Sequence, residues 1–396
     1  MYTVCMIPRK ILPILWERSR QMPVVTVLGP RQAGKTTLVR YAFPAYTYLN
    51  LENPAIREFA LKDPEGFFKQ YKTPLILDEI QRVPDLLSWI QVLVDEEKQN
   101  GLFILTGSNQ PLLRGAIGQS LAGRTSILTL LPLSLEELKE YSILLDRDQA
   151  LFQGFLPRVY DRPVDLTTLY LDYFATYVER DIRQLVHIRD SLRFETFMRL
   201  LAGRVGQVLN TSSLAADVGV SHTTIANWLA ALEASYITFR LPPWFSNISK
   251  RYIKSPKIYF YETGLLASLL QIASPQQAGR DPLVGNLFEN LVVIESMKAL
   301  FNRNKRTPLF FYREQTGLEI DLILEHNRVP HGVEIKSSQT FHPDFLRSLR
   351  RFKGQFPEAG SLQVVYGGDK DMRGSDYMVW SFTNIATMVE GIVCTT

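Results

Sequence analysis

An eight-residue segment near the amino terminus has the sequence of a phosphate-binding loop. It reads Gly29-Pro30-Arg31-Gln32-Ala33-Gly34-Lys35-Thr36 and matches the pattern G-x-x-x-x-G-K-T at each required position. Glycines let the backbone curl until its N–H groups point at phosphate oxygens, and a following helix adds positive potential. We expect Lys35 to reach the β- and γ-phosphates and Thr36 to bind Mg²⁺ through its hydroxyl. The predicted cofactors are therefore ATP and Mg²⁺, with ATP held by the loop and by Thr37.

Two adjacent acids follow a short apolar run further along the chain. Leu75–Leu77 predicts a buried strand, and Asp78 and Glu79 come directly after it. Open α/β sheets bind their ligands at the carboxyl ends of the strands. We expect Asp78 to hold Mg²⁺ and Glu79 to polarise the attacking water as a general base. The order of the two motifs favours this interpretation over a chance loop followed by an acidic turn.

Three further polar residues have open alternatives. Ser108 and Asn109 end the next apolar run, where either could orient a water beside the γ-phosphate or simply form a turn. Arg124 could stabilise the charge of phosphoryl transfer, often from a neighbouring subunit, or could be a surface or salt-bridged arginine. If Arg124 acts on a neighbour, the protein must form at least a homodimer.

A second group of charged residues lies near the carboxyl terminus. Glu319 and Asp321 share one face of a predicted strand, and Glu334 and Lys336 share one face of the next, because strand side chains alternate. A hairpin would bring the two faces together. Carboxylates bind Mg²⁺, and a lysine can position water for phosphodiester cleavage. Glu289 is a further candidate ligand, so the predicted metal residues here are Glu289, Asp321 and Glu334. The alternative is a polar sheet edge with a stray E-x-K.

The elements that must position these residues fall into three segments. Residues 11–131 alternate apolar runs with helical patterns, which predicts a parallel sheet covered on both faces. Residues 132–239 are mostly helical in pattern, and the chain then returns to an α/β pattern. The predicted domains are 1–135, 136–245 and 246–396. The predicted strands are Val24–Leu28, Tyr46–Leu51, Leu75–Leu77, Phe103–Thr106, Phe310–Tyr312, Ile320–Leu324, Val333–Ile335 and Val364–Tyr366.

The middle segment contains a helix-turn-helix pattern. One helix is predicted up to a turn at Gly219, and Ser221 is placed to cap a second helix. His222, Thr223 and Asn227 would face outward, where the edges of DNA bases could be read. That helix carries no Lys or Arg, so a lid or a protein contact is the alternative. Downstream, a basic stretch suits DNA phosphates; it comprises Lys250, Arg251, Lys254 and Lys257.

Several of these motifs together resemble a known family. Residues 1–240 resemble an AAA+-type P-loop ATPase family whose loop reads GPRQ-x-GKTT and which carries hhhDE, TGSN and AGR segments. The segments Tyr177–Ile182 and Lys257–Leu265 extend the resemblance, with Glu262 at a position where the family usually has Asp. The resemblance implies an ATPase whose carboxy-terminal domain has an uncertain role.

The carboxy-terminal acids carry a second resemblance. Glu289 on a first helix, Asp321, and then Glu334-x-Lys336 are similar to the PD-(D/E)xK nuclease superfamily and its junction-resolvase-like members. Ile320 stands where that superfamily sometimes has Pro. The resemblance implies a restriction-endonuclease-like domain, and the basic runs Lys298–Arg306 and Arg347–Lys353 would suit a DNA backbone.

Composition is compatible with this organisation. The 396 residues carry a formal net charge of +4, which permits a DNA partner without requiring one. Neither a signal peptide nor a membrane span is predicted, and two distant cysteines make no zinc or disulfide framework. We therefore expect a cytoplasmic protein with no membrane partner.

The predicted fold class is α/β: a P-loop parallel-sheet ATPase core, a helical winged-helix middle and a carboxy-terminal restriction-endonuclease-like α/β domain. The predicted function is ATP hydrolysis coupled to DNA binding or processing, with an Mg²⁺-dependent nuclease-like domain. The alternative is a nucleotide-switched binding protein whose carboxy-terminal domain is inactive and contacts a protein partner. A nucleotide kinase is disfavoured, because Glu79 beside Asp78 suits attack by water.

Overall fold

The computed structural model describes residues 7–108, 115, 117–179, 185–186, 190–246 and 255–394. The chain divides into two compact units, which are treated separately. The amino-terminal unit comprises Met6–Leu133 with Phe301–Asn304, and the carboxy-terminal unit comprises Ser134–Leu300 with Lys305–Thr396.

A five-stranded parallel sheet forms the centre of the amino-terminal unit. Its order is β2-β3-β4-β1-β5, so β4 lies between β1, which precedes the phosphate loop, and β3, which ends at Asp78. The strands are β1 Val24–Leu28, β2 Thr47–Asn50, β3 Leu75–Asp78, β4 Phe103–Gly107 and β5 Thr125–Thr129. The helices are α1 Leu12–Gln21, α2 Lys35–Ala42, α3 Pro54–Lys62, α4 Pro64–Gln70 and α5 Leu86–Glu97.

The predicted parallel sheet is confirmed, and its four predicted strands are present as β1 to β4. Every residue of β1, β3 and β4 is buried, because central strands of a parallel sheet are covered on both faces. Strand β5 was not predicted; its side chains are mostly half-buried, so its sequence lacks a continuous apolar run. The packed side chains of α2 and the sheet include Val25, Leu38, Ile76 and Ile104.

Helices make up the first half of the carboxy-terminal unit. They are α6 Leu135–Glu140, α7 Arg147–Gln153, α8 Pro157–Asp161, α9 Leu166–Tyr173, α10 Ser191–Ala202, α11 Thr211–Val218 and α12 His222–Ala234. Helix α9 continues into a π-helical segment at Phe174–Glu179. Gly219 ends α11 with a left-handed φ of 74°, and the Ser221 side chain accepts a hydrogen bond from Thr224 N, as a helix cap does.

A small antiparallel ladder follows these helices. Strand β6 is Thr238–Leu241 and β7 is Lys257–Phe260, and Val208 forms an isolated bridge with Lys257. The order of elements is thus three helices, α10 to α12, then a two-stranded hairpin. Residues 247–254, between the two strands, lie outside the described residues, and three of the four basic residues predicted to contact phosphates fall there.

A six-stranded mixed sheet forms the second half of this unit. Its order is β12-β13-β11-β10-β9-β8, with β8, β9 and β10 antiparallel and β11 parallel to β10. Asn327 and Arg328, both with positive φ, make the tight turn between β9 and β10. The strands are β8 Leu309–Arg313, β9 Glu319–His326, β10 Val329–Lys336, β11 Leu362–Tyr366, β12 Met372–Arg373 and β13 Tyr377–Ser381.

The remaining helices complete the unit. They are α13 Thr263–Leu269, α14 Pro275–Ala278, α15 Val284–Asn302, α16 Arg347–Gln355 and α17 Ile385–Val393. From α15 onward the chain runs helix, three antiparallel strands, helix α16 and a parallel strand. Leu349 and Phe352 of α16 pack on Ile320 and Ile323 of β9 in one buried core. Among the described residues, no helix is both long enough and apolar enough to cross a bilayer.

A single glycine fixes the path of the chain out of β1. Gly29 has a φ of 154°, and a Cβ placed there would lie 2.0 Å from Leu130 O. We expect Gly29→Ala to lower the free energy of unfolding by about 2 kcal/mol or more, because a backbone atom must move. Thermal unfolding of purified protein measures this, with Gly118→Ala as the control, since a Cβ there meets nothing within 4 Å. Equal midpoints for the two variants would contradict the prediction.

Candidate functional site

The phosphate loop joins the end of β1 to the start of α2. Gln32 and Gly34 both have positive φ, at 61° and 90°, so the backbone curls between the two elements. Arg9 connects the loop to the segment after β5: its guanidinium donates to Ala33 O at 2.7 Å and to Leu131 O at 2.6 Å. Sequence reasoning missed Arg9, since nothing near it in the chain marks it as a support for the loop.

Lys35 lies inside the curl. Its Nζ donates to Gly29 O at 3.0 Å and to Pro30 O at 2.7 Å, and the side chain is buried. Burial lowers the pKa of Lys35 to about 8, although the charges of Glu79 and Asp78 act in the opposite direction. Neutral carbonyl oxygens therefore hold the Lys35 ammonium, and the groups around it compensate only partly for the loss of water.

Asp78 is the meeting point of three hydroxyl groups. Thr36 Oγ1 donates to its carboxylate at 2.9 Å, Tyr48 OH donates at 2.7 Å, and Thr106 Oγ1 also donates. Asp78 itself is 3% exposed. A hydroxyl and a carboxylate in contact at a helix start are hard oxygen donors of the kind that Mg²⁺ prefers. The side chains of Thr36 and Asp78 therefore fit the ion that was predicted for them.

Glu79 sits next to this group in a left-handed conformation, with a φ of 59°. Ser108 Oγ donates to Glu79 Oε2 at 3.2 Å, and the Gln81 amide donates to the same oxygen. Its backbone N–H donates to Thr106 Oγ1 at 3.2 Å. The ends of β3 and β4 thus hold the carboxylate in one place. Asn109, the other predicted water-orienting residue, lies outside the described residues.

Tyr48 and Gln81 are site residues that the sequence did not reveal. Tyr48 is paired with Ile76 in the β2–β3 register, so its ring lies on the Asp78 face of the sheet. Burial, followed by the hydrogen bond to Asp78, raises the pKa of the Tyr48 hydroxyl. The Arg40 guanidinium lies 4.8 Å from the centre of the Tyr48 ring. Tyr48 and Arg40 line a cleft of about 510 Å³ together with Thr36 and Thr37.

Arg124 is not part of this site within the chain. Its carbonyl accepts from the N–H of Val24, the first residue of β1, whereas the phosphate loop follows the last. Its guanidinium makes a two-pronged ion pair with Asp95, at 2.7 Å and 2.8 Å. All five strands are parallel, and Arg124 lies at their amino ends, whereas Lys35 lies at their carboxyl ends. The prediction of a catalytic arginine is therefore wrong for the same chain and remains a prediction only for a neighbouring one.

The carboxy-terminal acids predicted from the sequence do lie near one another. Lys336 Nζ is 2.6 Å from Glu334 Oε1 and 3.8 Å from Asp321 Oδ2, and Ile335 N donates to Asp321 Oδ2 at 2.8 Å. Glu289 reaches the group from α15. Burial, then the charge of Asp321, raises the pKa of Glu289 to about 7 and that of Glu334 to about 8.

An unpredicted lysine also enters this group. Lys257 Nζ lies 2.9 Å from Glu289 Oε1 and 2.8 Å from Glu319 Oε1. Tyr259 OH donates to the same Glu289 oxygen at 2.5 Å. Lys257 was predicted to contact DNA phosphates as part of a basic stretch. The structure corrects that prediction, because β7 turns the side chain inward and leaves it 3% exposed.

The predicted metal site of Glu289, Asp321 and Glu334 is not assembled. Across the part of the chain that the structure describes, no three His, Cys, Asp or Glu side chains are placed to hold one metal ion. The physical reason is that lysines pair with these carboxylates: Lys257 forms an ion pair with Glu289, and Lys336 forms one with Glu334. In this arrangement the residues do not fit a metal ion.

The predicted outward-facing residues of the helix-turn-helix pattern are exposed. His222, Thr223 and Asn227 all lie on the solvent side of α12, and His222 Nε2 is 2.7 Å from Thr211 Oγ1. Ile225 and Trp228 are buried on its other side. The surface of α12 is thus polar and free of charged residues at these three positions.

Protein-family models match three parts of the chain. A family model described as an AAA domain matches residues 21–139. Two models described as domains of unknown function, DUF8612 and DUF4143, match residues 145–276 and 284–386. The uncharacterized protein Rv2008c of Mycobacterium tuberculosis is 34% identical over 362 residues, which cover 90% of this chain and 79% of that protein.

More distant similarities were also found. An uncharacterized protein of Haemophilus influenzae is 26% identical over 310 residues, covering 69% of this chain and 74% of that protein. The Walker-type ATPase PABY2304 of Pyrococcus abyssi has a TM-score of 0.44 at 15% identity, covering 66% of this chain and 94% of that one.

The parallel sheet, the curled loop and the acid beside Thr36 define the amino-terminal unit as a P-loop ATPase domain of the AAA type. The chain belongs to the family that includes Rv2008c of Mycobacterium tuberculosis.

Glu334 gives the carboxy-terminal group a pH dependence. Its folded pKa of about 8 lies above the ordinary 4.5, so stability present below pH 4.5 is lost as pH rises through 8. Glu334→Gln removes this loss. We expect its melting temperature to gain on the wild type progressively between about pH 5 and 9. Thermal scans across that range measure the effect. Glu358→Gln, at an exposed position, should show a constant difference; a constant difference for Glu334→Gln would contradict the prediction.

Proposed function

We propose that the amino-terminal unit binds ATP with Mg²⁺ and hydrolyses it. The observation that carries this proposal is the contact of Thr36 Oγ1 with the Asp78 carboxylate, directly beside the buried ammonium of Lys35. Nucleotide hydrolysis needs a phosphate loop, a cation, a hydroxyl and a carboxylate, and all four lie at the carboxyl ends of the strands. The AAA domain match supports the same assignment.

Each residue has one task in this proposal. Lys35 exchanges the carbonyl oxygens of Gly29 and Pro30 for phosphate oxygens, which favour its charge more strongly than neutral acceptors do. Thr36 and Asp78 hold Mg²⁺, which when bound neutralises phosphate charge. Glu79 accepts a proton from the attacking water, and its orientation is maintained by Ser108.

Lys35→Ala tests the ATPase assignment. Turnover should fall to the background level, because the phosphates lose their buried positive charge. Phosphate release by purified full-length protein measures it. Lys62→Ala is the matched control, since Lys62 is an exposed lysine of the same unit that pairs with Glu58 one turn earlier in α3. Unchanged turnover in Lys35→Ala would refute the assignment.

A homo-oligomer is proposed from the position of Arg124. Arg124 lies at the amino ends of the strands, and the phosphate loop of the same chain lies at their carboxyl ends. Its guanidinium can therefore reach a γ-phosphate only in another copy of the chain. Its partner Asp95 is exposed, so the ion pair lies on an accessible surface. An assembly of this kind would complete each site from a second subunit.

DNA is the proposed macromolecular partner, and the domains proposed for it are residues 136–245 and 246–396. Three helices followed by a hairpin are the elements of a winged helix, and α12 presents exposed polar residues that can meet base edges. The formal net charge of +4 is compatible with a phosphate backbone. Nucleotide turnover would then change how the chain holds DNA.

Two functions are candidates for the mixed sheet. Its order from α15 to β11, with Glu289, Asp321, Glu334 and Lys336 close together, favours a restriction-endonuclease-like fold and phosphodiester cleavage. The pairing of Glu289 with Lys257 favours a domain of that fold that binds without cutting. We take the second as the function of the arrangement described, since Glu289 and Glu334 are paired with lysines.

Nicking of supercoiled DNA separates these two candidates. The wild type with Mg²⁺ should nick no faster than Asp321→Ala, because the carboxylates are held by lysines rather than by a metal ion. A gel assay with linear, branched and single-stranded DNA in parallel measures it. Mg²⁺-dependent cleavage by the wild type that disappears in Asp321→Ala would establish the nuclease instead.

A further inference from the structure

Lys257 is a buried lysine placed among the acids of the mixed sheet. Its Nζ contacts Glu289 of α15 and Glu319 of β9, and the charge of Asp321 also acts on it. The Phe311 ring lies 5.3 Å from the same nitrogen. A buried ammonium is stable only where such charges compensate for the lost water. Two carboxylates from different elements therefore contact this nitrogen, as oxygen ligands contact a metal ion.

The lysine and the acids come from different parts of the fold. Lys257 begins β7, where it pairs with Leu241 of β6 and forms a bridge with Val208. The backbone on both sides thus fixes where its side chain can reach. The acids belong to α15 and to β9 and β10, which lie later in the chain. The hairpin that follows the three helices α10 to α12 consequently supplies the cation for the mixed sheet.

Acidic side chains outnumber the lysines in this group. Four carboxylates, Glu289, Glu319, Asp321 and Glu334, face two lysines, Lys257 and Lys336. One carboxylate oxygen, Glu334 Oε2, is buried and makes no hydrogen bond within the described residues. Carboxylate oxygens are the ligands that hard divalent ions prefer, so such an ion could use the oxygens that now contact Lys257 if that lysine were absent.

We propose that Lys257 is the resident cation of this acidic group: its ammonium holds the place that a divalent metal ion would otherwise take among Glu289, Glu319 and Asp321. The group binds a divalent ion only when the Lys257 ammonium is absent from this position. This inference rests on the proposed non-cutting role of the mixed sheet and explains it physically.

Titration of nucleotide-free, full-length protein with Mn²⁺ tests this inference. The wild type should show no binding that depends on Asp321. Lys257→Met should bind Mn²⁺ about a hundredfold more tightly than the wild type, because a like charge a few ångströms away no longer opposes the ion. That gain should vanish in Lys257→Met combined with Asp321→Asn. Calorimetry measures the affinity, and the Mn²⁺-induced rise in melting temperature provides a second readout.

Two further variants keep the test decisive. Lys257→Arg retains the charge and should remain as unresponsive to Mn²⁺ as the wild type, which a purely structural role of Lys257 would not predict. Lys257→Gln replaces the Met variant if that variant does not fold. Wild-type binding that is lost in Asp321→Asn would overturn the inference, and so would the absence of binding in both charge-removing variants. ATP turnover and DNA nicking are measured separately, so failure here leaves those proposals standing.

Discussion

The carboxylate of Asp78 is the group on which the amino-terminal unit depends. Its three hydroxyl donors come from α2, β2 and β4, so the contact forms only when those elements flank β3 in the observed order. A carboxylate at the end of a fully buried strand would be costly without such donors. The same sheet order therefore satisfies a stability requirement and brings the phosphate loop beside the acid.

Two buried lysines differ in the groups that compensate for their lost hydration. Lys35 is held by backbone carbonyls, and its pKa falls to about 8 because neutral acceptors compensate incompletely. Lys257 is held by carboxylates, whose charges outweigh its burial and raise its pKa. The first arrangement leaves an ammonium that gains by meeting an anion. In the second arrangement the Lys257 ammonium is stabilised where it is, since breaking a buried ion pair costs roughly 3–5 kcal/mol.

The sequence identified the elements of both groups better than their contacts. Central strands such as Val24–Leu28 are continuous apolar runs, so their positions follow from composition alone. Tyr48 was missed because its contact with Asp78 depends on strand order, which no local pattern encodes. Lys257 was misplaced for a related reason: a basic stretch indicates a solvated surface, and the acids that bury this lysine lie far along the chain. Local periodicity predicts elements, whereas the pairing of distant charges requires the assembled fold.

The ion pair of Arg124 with Asp95 has a consequence for any ring or dimer of this chain. One guanidinium cannot serve an internal carboxylate and an external phosphate at once, because both use the same fork of N–H donors. In such an assembly Asp95 would compete with the neighbour's nucleotide for Arg124. Subunit association and nucleotide binding would then be thermodynamically linked, and the linkage would weaken in concentrated salt, where exposed charges are screened.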